Sequence, residues 1–239
     1  SFKRVFPFSN IFSLAPLDLW LSALVEARFR VGWEYLARLG WILLVSSVNT
    51  VLSLPERLLV PLFVRHRVPD PVFIVGVHRS GTTHLHNLLA LDSRFCVPRN
   101  LHVMNPFGVL FSGWLITPLL GIFMNMRRPM DAVRVNLLTP QEDEFAVACM
   151  TRMSPYWAFT FPRSVGRYDR YIFPGDFTAS ELATWKQCLM QFLRRLTFWT
   201  RKSPLLKTYL KQDIKWDLMN RQAEIDNLLF AYYNKVKET

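Results

Sequence analysis

The chain has 239 residues, of which 51% are hydrophobic and 14% aromatic, and its formal net charge is +11. This composition excludes wholesale disorder, and the length suffices for one α/β domain with a buried core. The basic excess favours an anionic partner such as a nucleotide, an acidic lipid surface or nucleic acid. Three widely spaced cysteines argue against both a disulfide framework and a cysteine metal site.

The N-terminal region, residues 1–70, is predicted to be helical and membrane-associated. A first helix is expected over residues 17–35, followed by the uncharged stretch 39–55. That stretch is short for a membrane span, and its serines, Asn49 and Pro55 favour an interfacial or buried helix. A second uncharged stretch, 103–126, is interrupted by proline and glycine, which favours a re-entrant, interfacial or pocket-lining segment.

Two later segments carry helix-start signals. In Thr139-Pro140-Gln141-Glu142, threonine, proline and glutamate have the spacing of a capping box. Thr178 and Glu181 repeat the signal before an apolar stripe at three- and four-residue spacing, which predicts a long core helix. A last amphipathic helix is expected over residues 213–236.

The segment with the clearest chemistry begins at Val72. The apolar run Val72–Val75 is typical of a buried parallel strand, and a helix is expected from Thr82. Between them, Gly76 and Gly81 permit a tight loop whose backbone N–H groups and helix dipole point at one anion. The sequence therefore predicts a phosphate-binding loop.

This loop differs from a Walker loop at one position. Thr82 stands where the Walker pattern requires lysine, so the usual clamp on β- and γ-phosphates is missing. Arg79 supplies a cation that can hold a phosphate and a neighbouring sulfate through paired hydrogen bonds. The predicted donor-binding residues are Arg79, Ser80, Gly81, Thr82 and Thr83.

The loop and several later blocks resemble one enzyme family. R-S-G-T-T after a hydrophobic strand is similar to the 5′-phosphosulfate loop of sulfotransferases that use 3′-phosphoadenosine 5′-phosphosulfate (PAPS). The arginine version is typical of the tyrosylprotein and bacterial-type branches. Blocks similar to the bacterial-type branch follow in order: R-P-M-D (128–131), P-Q-E-D-E-F-A (140–146), S-P-Y (154–156), F-P (161–162) and K-S-P (202–204).

The resemblance, which covers about residues 39–204, implies an α/β fold. We expect a P-loop-like three-layer sandwich with a central parallel sheet over residues 71–239 and further helices around it. The implied donor is PAPS, without a metal, and the implied acceptor is a hydrophobic, hydroxylated molecule, with a membrane surface or a protein as further partner and no nucleic acid. The family's arginine and serine for the 3′-phosphate have no counterpart between Leu205 and Thr239, so this domain is expected to be incomplete.

Sulfuryl transfer needs a base for the acceptor hydroxyl and cations near the leaving oxygen. Glu142 and Glu144 are the candidate bases, with Glu144 preferred because Glu142 would complete the capping box. Arg79 and Lys202 are the predicted catalytic cations, and Lys202 is expected at a strand end that faces the loop.

Two other readings stay open at the level of sequence. A sulfotransferase-like protein without activity could serve as a structural or membrane-associated subunit, which the missing 3′-phosphate motif would explain. A P-loop kinase or NTPase is disfavoured by the absent Walker lysine.

Overall fold

The computed structural model describes residues 12–76, 81–113, 126–127, 134–172 and 174–208. Its helices in chain order are α1 (Leu17–Glu26), α2 (Leu36–Phe63), α3 (Thr82–Leu89), α4 (Asn100–Met104), α5 (Asp143–Met150), α6 (Val165–Tyr168) and α7 (Ala179–Thr197). Its strands are β1 (Val72–Val75), β2 (Phe95–Cys96), β3 (Met126–Arg127), β4 (Arg134–Val135) and β5 (Ser203–Thr208). Short 3₁₀ turns cover Trp33–Tyr35, Pro155–Phe159, Pro162–Ser164, Asp169–Tyr171 and Pro174–Asp176.

A parallel sheet with the order β1-β5-β2 organises the fold, and β3 and β4 form a separate antiparallel pair. Val72 pairs with Leu205 and Val75 with Thr208, so β1 and β5 end at the same edge. Consecutive residues of β5 point to opposite faces of the sheet and pack in two different cores. Leu205 packs in a cluster bordered by Leu89 of α3, whereas Leu206 packs with the apolar stripe of α7. The sheet therefore lies between helices, and the predicted α/β fold with a central parallel sheet is confirmed.

Helix α7 forms where its cap predicts. Thr178 accepts a hydrogen bond from the backbone N–H of Glu181, and the Glu181 carboxylate accepts one from the Thr178 N–H. The stripe of Trp185, Leu189 and Phe192 is fully buried, as the period of the sequence requires.

Two predicted helix boundaries are wrong. α1 ends at Glu26 rather than residue 35, because Arg28 and Phe29 adopt left-handed backbone conformations with φ of 51° and 52°. The capping box predicted at Thr139 does not form. Residue 140 lies in a β-bridge with Arg99, and α5 begins only at Asp143.

The N-terminal helices pack on the rest of the described chain. Trp20 of α1 contacts Trp157 edge to face, with ring centroids 5.4 Å apart. Among the described residues, one helical stretch, Trp33–Phe63, is long and apolar enough to cross a membrane by length and composition alone, and 22% of its most apolar window is buried. The predicted boundary at residue 70 stays a prediction.

Candidate active site

The helix that follows the predicted phosphate loop begins as its glycine requires. Gly81, the N-cap of α3, has φ of +83°, a left-handed conformation that a side chain would strain. Thr82 and Thr83 follow in the first turn, at the carboxyl edge of β1. Because α3 starts at this edge, its free N–H groups and the positive end of its dipole lie where β1 and β5 end. Arg79 and Ser80 lie outside the described residues.

Lys207 is the cation that the structure brings to this edge. It lies next to the last residue of β5, and its side chain is only 3% exposed. Its Nζ donates a hydrogen bond to Oγ1 of Thr83 at 3.1 Å and lies 3.0 Å from Oε1 of Glu142. A buried lysine is thus held between a hydroxyl and a carboxylate at the start of α3.

Glu142 is the carboxylate of this cluster. Its backbone is extended, and its side chain makes no cap hydrogen bond to α5, so it points away from the helix that it precedes. Oε1 pairs with Lys207, and Oε2 accepts a hydrogen bond from the Tyr156 hydroxyl at 2.8 Å. The Tyr156 ring in turn stacks on Phe145 with centroids 4.3 Å apart, which fixes the direction of that hydroxyl.

The backbone around Glu142 is extended because tertiary contacts hold it there. The Gln141 N–H donates to the carbonyl of Pro98 at 2.9 Å, and the Gln141 side chain donates to Asn100 at 3.0 Å. These bonds replace the helical ones that the sequence pattern predicts. The pairing of Gln141 with the segment that begins α4 therefore directs Glu142 at Lys207, beside the start of α3.

Lys202 lies at the wrong edge of the sheet for its predicted role. It precedes Ser203, the first residue of β5, and is exposed. The loop follows the last residue of β1, and five residues of a strand span about 16 Å. The structure therefore places Lys202 away from the end of the strands where the loop begins, and its predicted role stays a prediction. A better sequence signal for a lysine near the loop was the apolar pair Leu205 and Leu206. This pair leads to Lys207 near the end of β5, just as the apolar run of β1 leads to the loop.

Glu144, the preferred base at the level of sequence, lies in the first turn of α5. It is 3% exposed, and its neighbour Asp143 is fully buried. Lys207 and Tyr156 both reach Glu142, so the geometry favours Glu142 over Glu144. Among the described residues, no three His, Cys, Asp or Glu side chains are grouped so that they could hold a metal ion.

His86 lies one turn further along α3 and is 1% exposed. Burial, followed by the positive charge of Lys207, lowers the pKa of His86 to about 4. The imidazole is therefore neutral at pH 7. A protonated ring would add a second buried positive charge near Lys207, which is one reason why the neutral form is favoured.

We expect the low pKa of His86 to make stability fall in mild acid. The unfolded chain takes up the proton near pH 6.5 and the folded chain only near pH 4, so the free energy of unfolding decreases as pH falls through this window. The uptake of this proton should lower the free energy of unfolding by up to about 3 kcal/mol. Urea unfolding between pH 7.5 and pH 4.5, as rough bounds of the window, measures it. His86→Gln should flatten the slope; an unchanged slope would contradict the assignment.

Comparisons with known proteins identify the family of the chain. A model described as "Sulfotransferase family" matches residues 71–210, which contain the sheet, α3, Glu142 and Lys207. The chain therefore belongs to the sulfotransferase family, and the resemblance predicted from the sequence is confirmed at that level. No solved structure matches the chain.

Two curated relatives have names that specify an activity. The omega-hydroxy-beta-dihydromenaquinone-9 sulfotransferases of Mycobacterium bovis and Mycobacterium tuberculosis are each 33% identical to the chain over 194 residues. The alignment covers 79% of this chain and 49% of each relative. The chain thus spans about half the length of the curated relatives it matches.

Proposed function

We propose that the protein transfers a sulfuryl group from PAPS to a hydroxyl of a hydrophobic acceptor at the edge of the sheet formed by β1 and β5. The observation that carries this proposal is the Lys207–Glu142 pair at the first turn of α3, in a chain of the sulfotransferase family. The site unites an anion-binding helix start, a buried cation and a carboxylate, which are the groups that this transfer needs.

The donor fits the residues at this edge. Among the residues that the structure describes, none comes within 4 Å of the position of a Cβ at the left-handed Gly81, so an anion can approach the backbone there. We assign Arg79, Ser80, Gly81, Thr82 and Thr83 to the 5′-phosphosulfate, with the guanidinium of Arg79 as the main charge. PAPS supplies an activated sulfuryl group on a phosphate leaving group. The predicted lack of a 3′-phosphate segment stays a prediction, since residues 209–239 lie outside the described ones.

Glu142 and Lys207 have separate tasks in this proposal. Glu142 removes the proton of the acceptor hydroxyl as its oxygen bonds to sulfur, and Tyr156 holds the carboxylate in position. The bond between sulfur and the bridging oxygen of the donor breaks, and Lys207 neutralises the charge that develops on that oxygen. The products are the sulfate ester and 3′-phosphoadenosine 5′-phosphate.

A hydrophobic acceptor is supported by the names of the two relatives and by aromatic side chains near Glu142. Both relatives are named as sulfotransferases of a hydroxylated menaquinone derivative. Near Glu142, the stacked rings of Phe145, Tyr156 and Phe159 offer apolar surface, and Phe159 is 81% exposed. We propose that the acceptor lies along these rings and that the protein meets it at a membrane surface.

Nucleotide binding tests the donor assignment. We expect 3′-phosphoadenosine 5′-phosphate to raise the melting temperature of the full chain more than ATP does, because the loop lacks the Walker lysine. Binding at a hundredfold excess over Kd stabilises by about 2.7 kcal/mol. Arg79→Ala should remove the shift.

The matched control is Arg94→Ala. The exposed side chain of Arg94 pairs with Asp92 on the surface, so this variant should keep the rise in melting temperature. An equal or larger shift with magnesium and ATP would favour a kinase or NTPase instead. No shift with either nucleotide would favour the inactive, structural alternative.

A further inference from the structure

Helix α2 has its polar face inside and its apolar face outside. The four polar residues that it buries are each at most 2% exposed: Ser46, Asn49, Ser53 and Glu56. Its opposite side carries an outer stripe of large apolar side chains, each at least 43% exposed: Trp41, Leu44, Val48, Val51, Leu58 and Leu62. A helix on the surface of a water-soluble domain has the reverse arrangement.

Hydrogen bonds fix which side of α2 faces the protein. Ser46 and Asn49 donate to the backbone carbonyls of Ala15 and Leu14, both at 2.6 Å. Near the other end, the Glu56 carboxylate accepts from the N–H groups of Leu110 and Phe111 at 3.0 and 3.1 Å. The helix cannot turn its outer stripe inward without breaking these buried bonds, each of which is costly to leave unmade.

Most of the charges around the outer stripe are positive, although the exposed carboxylates Glu34 and Asp70 also lie near its two ends. Exposed arginines precede the helix at Arg28 and Arg30 and follow it at Arg65 and Arg67. The carboxylate that lies within α2, Glu56, is buried and therefore contributes no negative charge to the outer stripe. An apolar stripe with cations at both ends complements an anionic lipid surface. Trp33, which is 84% exposed just before the helix, suits the headgroup level.

We propose that α2 lies in the plane of an anionic membrane, with its outer stripe in the lipid and without crossing the bilayer. At 1.5 Å per residue, its 28 residues would be long enough to cross. A crossing helix would however carry the protein backbone bonded to Ser46, Asn49 and Glu56 into hydrocarbon, where irregular backbone is not tolerated. The placement stands apart from the sulfotransferase function; only its consequence, access to a lipid-dissolved acceptor, rests on that proposed function.

Vesicle sedimentation of the full chain tests the placement without donor or acceptor, so it does not depend on activity. We expect the protein to pellet with vesicles of phosphatidylcholine and phosphatidylserine, and less with phosphatidylcholine alone. Val51→Glu combined with Leu58→Glu should weaken binding at least about tenfold, because it puts two charges where aliphatic side chains would be buried in lipid. Leu91→Glu changes a leucine after α3 that is even more exposed, and this variant should bind as the unchanged protein does.

A label on the outer stripe gives a second readout. A polarity-sensitive fluorophore on Val51→Cys should shift to the blue when these vesicles are added, whereas the same label on Leu91→Cys should not. Absence of the shift, or equal binding by the double glutamate variant, would overturn the proposal. So would light scattering that shows a dimer which the double variant dissociates, since a second copy would then cover the stripe.

Discussion

Glu142→Gln is expected to lower kcat by about 10²–10⁴, the usual contribution of a positioned general base. Glutamine can still accept the Tyr156 hydrogen bond but cannot take the acceptor proton, so the site should lose its base. Because Lys207 also loses its ion-pair partner, the melting temperature should fall as well. The measurement is turnover of PAPS with a hydroxylated menaquinone derivative as acceptor, alongside the melting temperature.

Glu144→Gln is the matched control for this change. Glu144 is two residues away, is also a glutamate and is 3% exposed, so a general effect of removing a buried carboxylate would appear in both variants. We expect the Glu144 variant to keep most of its kcat. A large loss of kcat in Glu144→Gln with little loss in Glu142→Gln would move the base to Glu144, as the sequence pattern favoured.

Lys207→Ala is expected to lower kcat by about 10²–10³, because it removes the buried cation that faces Thr83 and Glu142. It also leaves Glu142 without its ion-pair partner, so the free energy of unfolding should fall as well. Turnover and urea unfolding together separate the two effects. Lys207→Met restores apolar volume without charge, so it should recover the packing part of the lost stability but neither the ion pair nor turnover.

Lys202→Ala is the control for the assignment of the lysine. Lys202 is exposed at the opposite edge of the sheet, and its loss should change kcat by less than about twofold. Equal losses of kcat in the Lys202 and Lys207 variants would contradict the placement of the catalytic cation at the carboxyl end of β5.

Local signals were enough to predict the elements that frame the site. The apolar run of β1, the glycine before α3 and the capped, periodic α7 all form as predicted, because each depends on residues close in sequence. The end of α1 could not be predicted, since Arg28 and Phe29 enter a left-handed conformation without the glycine that normally marks it.

The chemistry of the site was predicted only in part. The glutamate block was found, but its capping pattern assigned Glu142 to a helix end that tertiary pairing with Pro98 and Arg99 prevents. Lys207 was not among the predicted site residues, because the resemblance of residues 202–204 to K-S-P drew attention to Lys202. The position of Lys207 near the end of β5 was not considered. Which residues meet at a sheet edge depends on the register of β1 with β5, and no single segment contains that information.

The buried polar contacts of α2 also restrict how its length can change. Apolar packing tolerates small sliding, but Ser46, Asn49 and Glu56 each need their hydrogen-bond partners at a fixed height and angle. One residue inserted between Ser53 and Glu56 would turn the following residues by about 100° and move them along by about 1.5 Å. Glu56 would then lose Leu110 and Phe111, and Leu58 and Leu62 would leave the line of the outer stripe. Natural variation in this helix should therefore consist of substitutions rather than insertions or deletions.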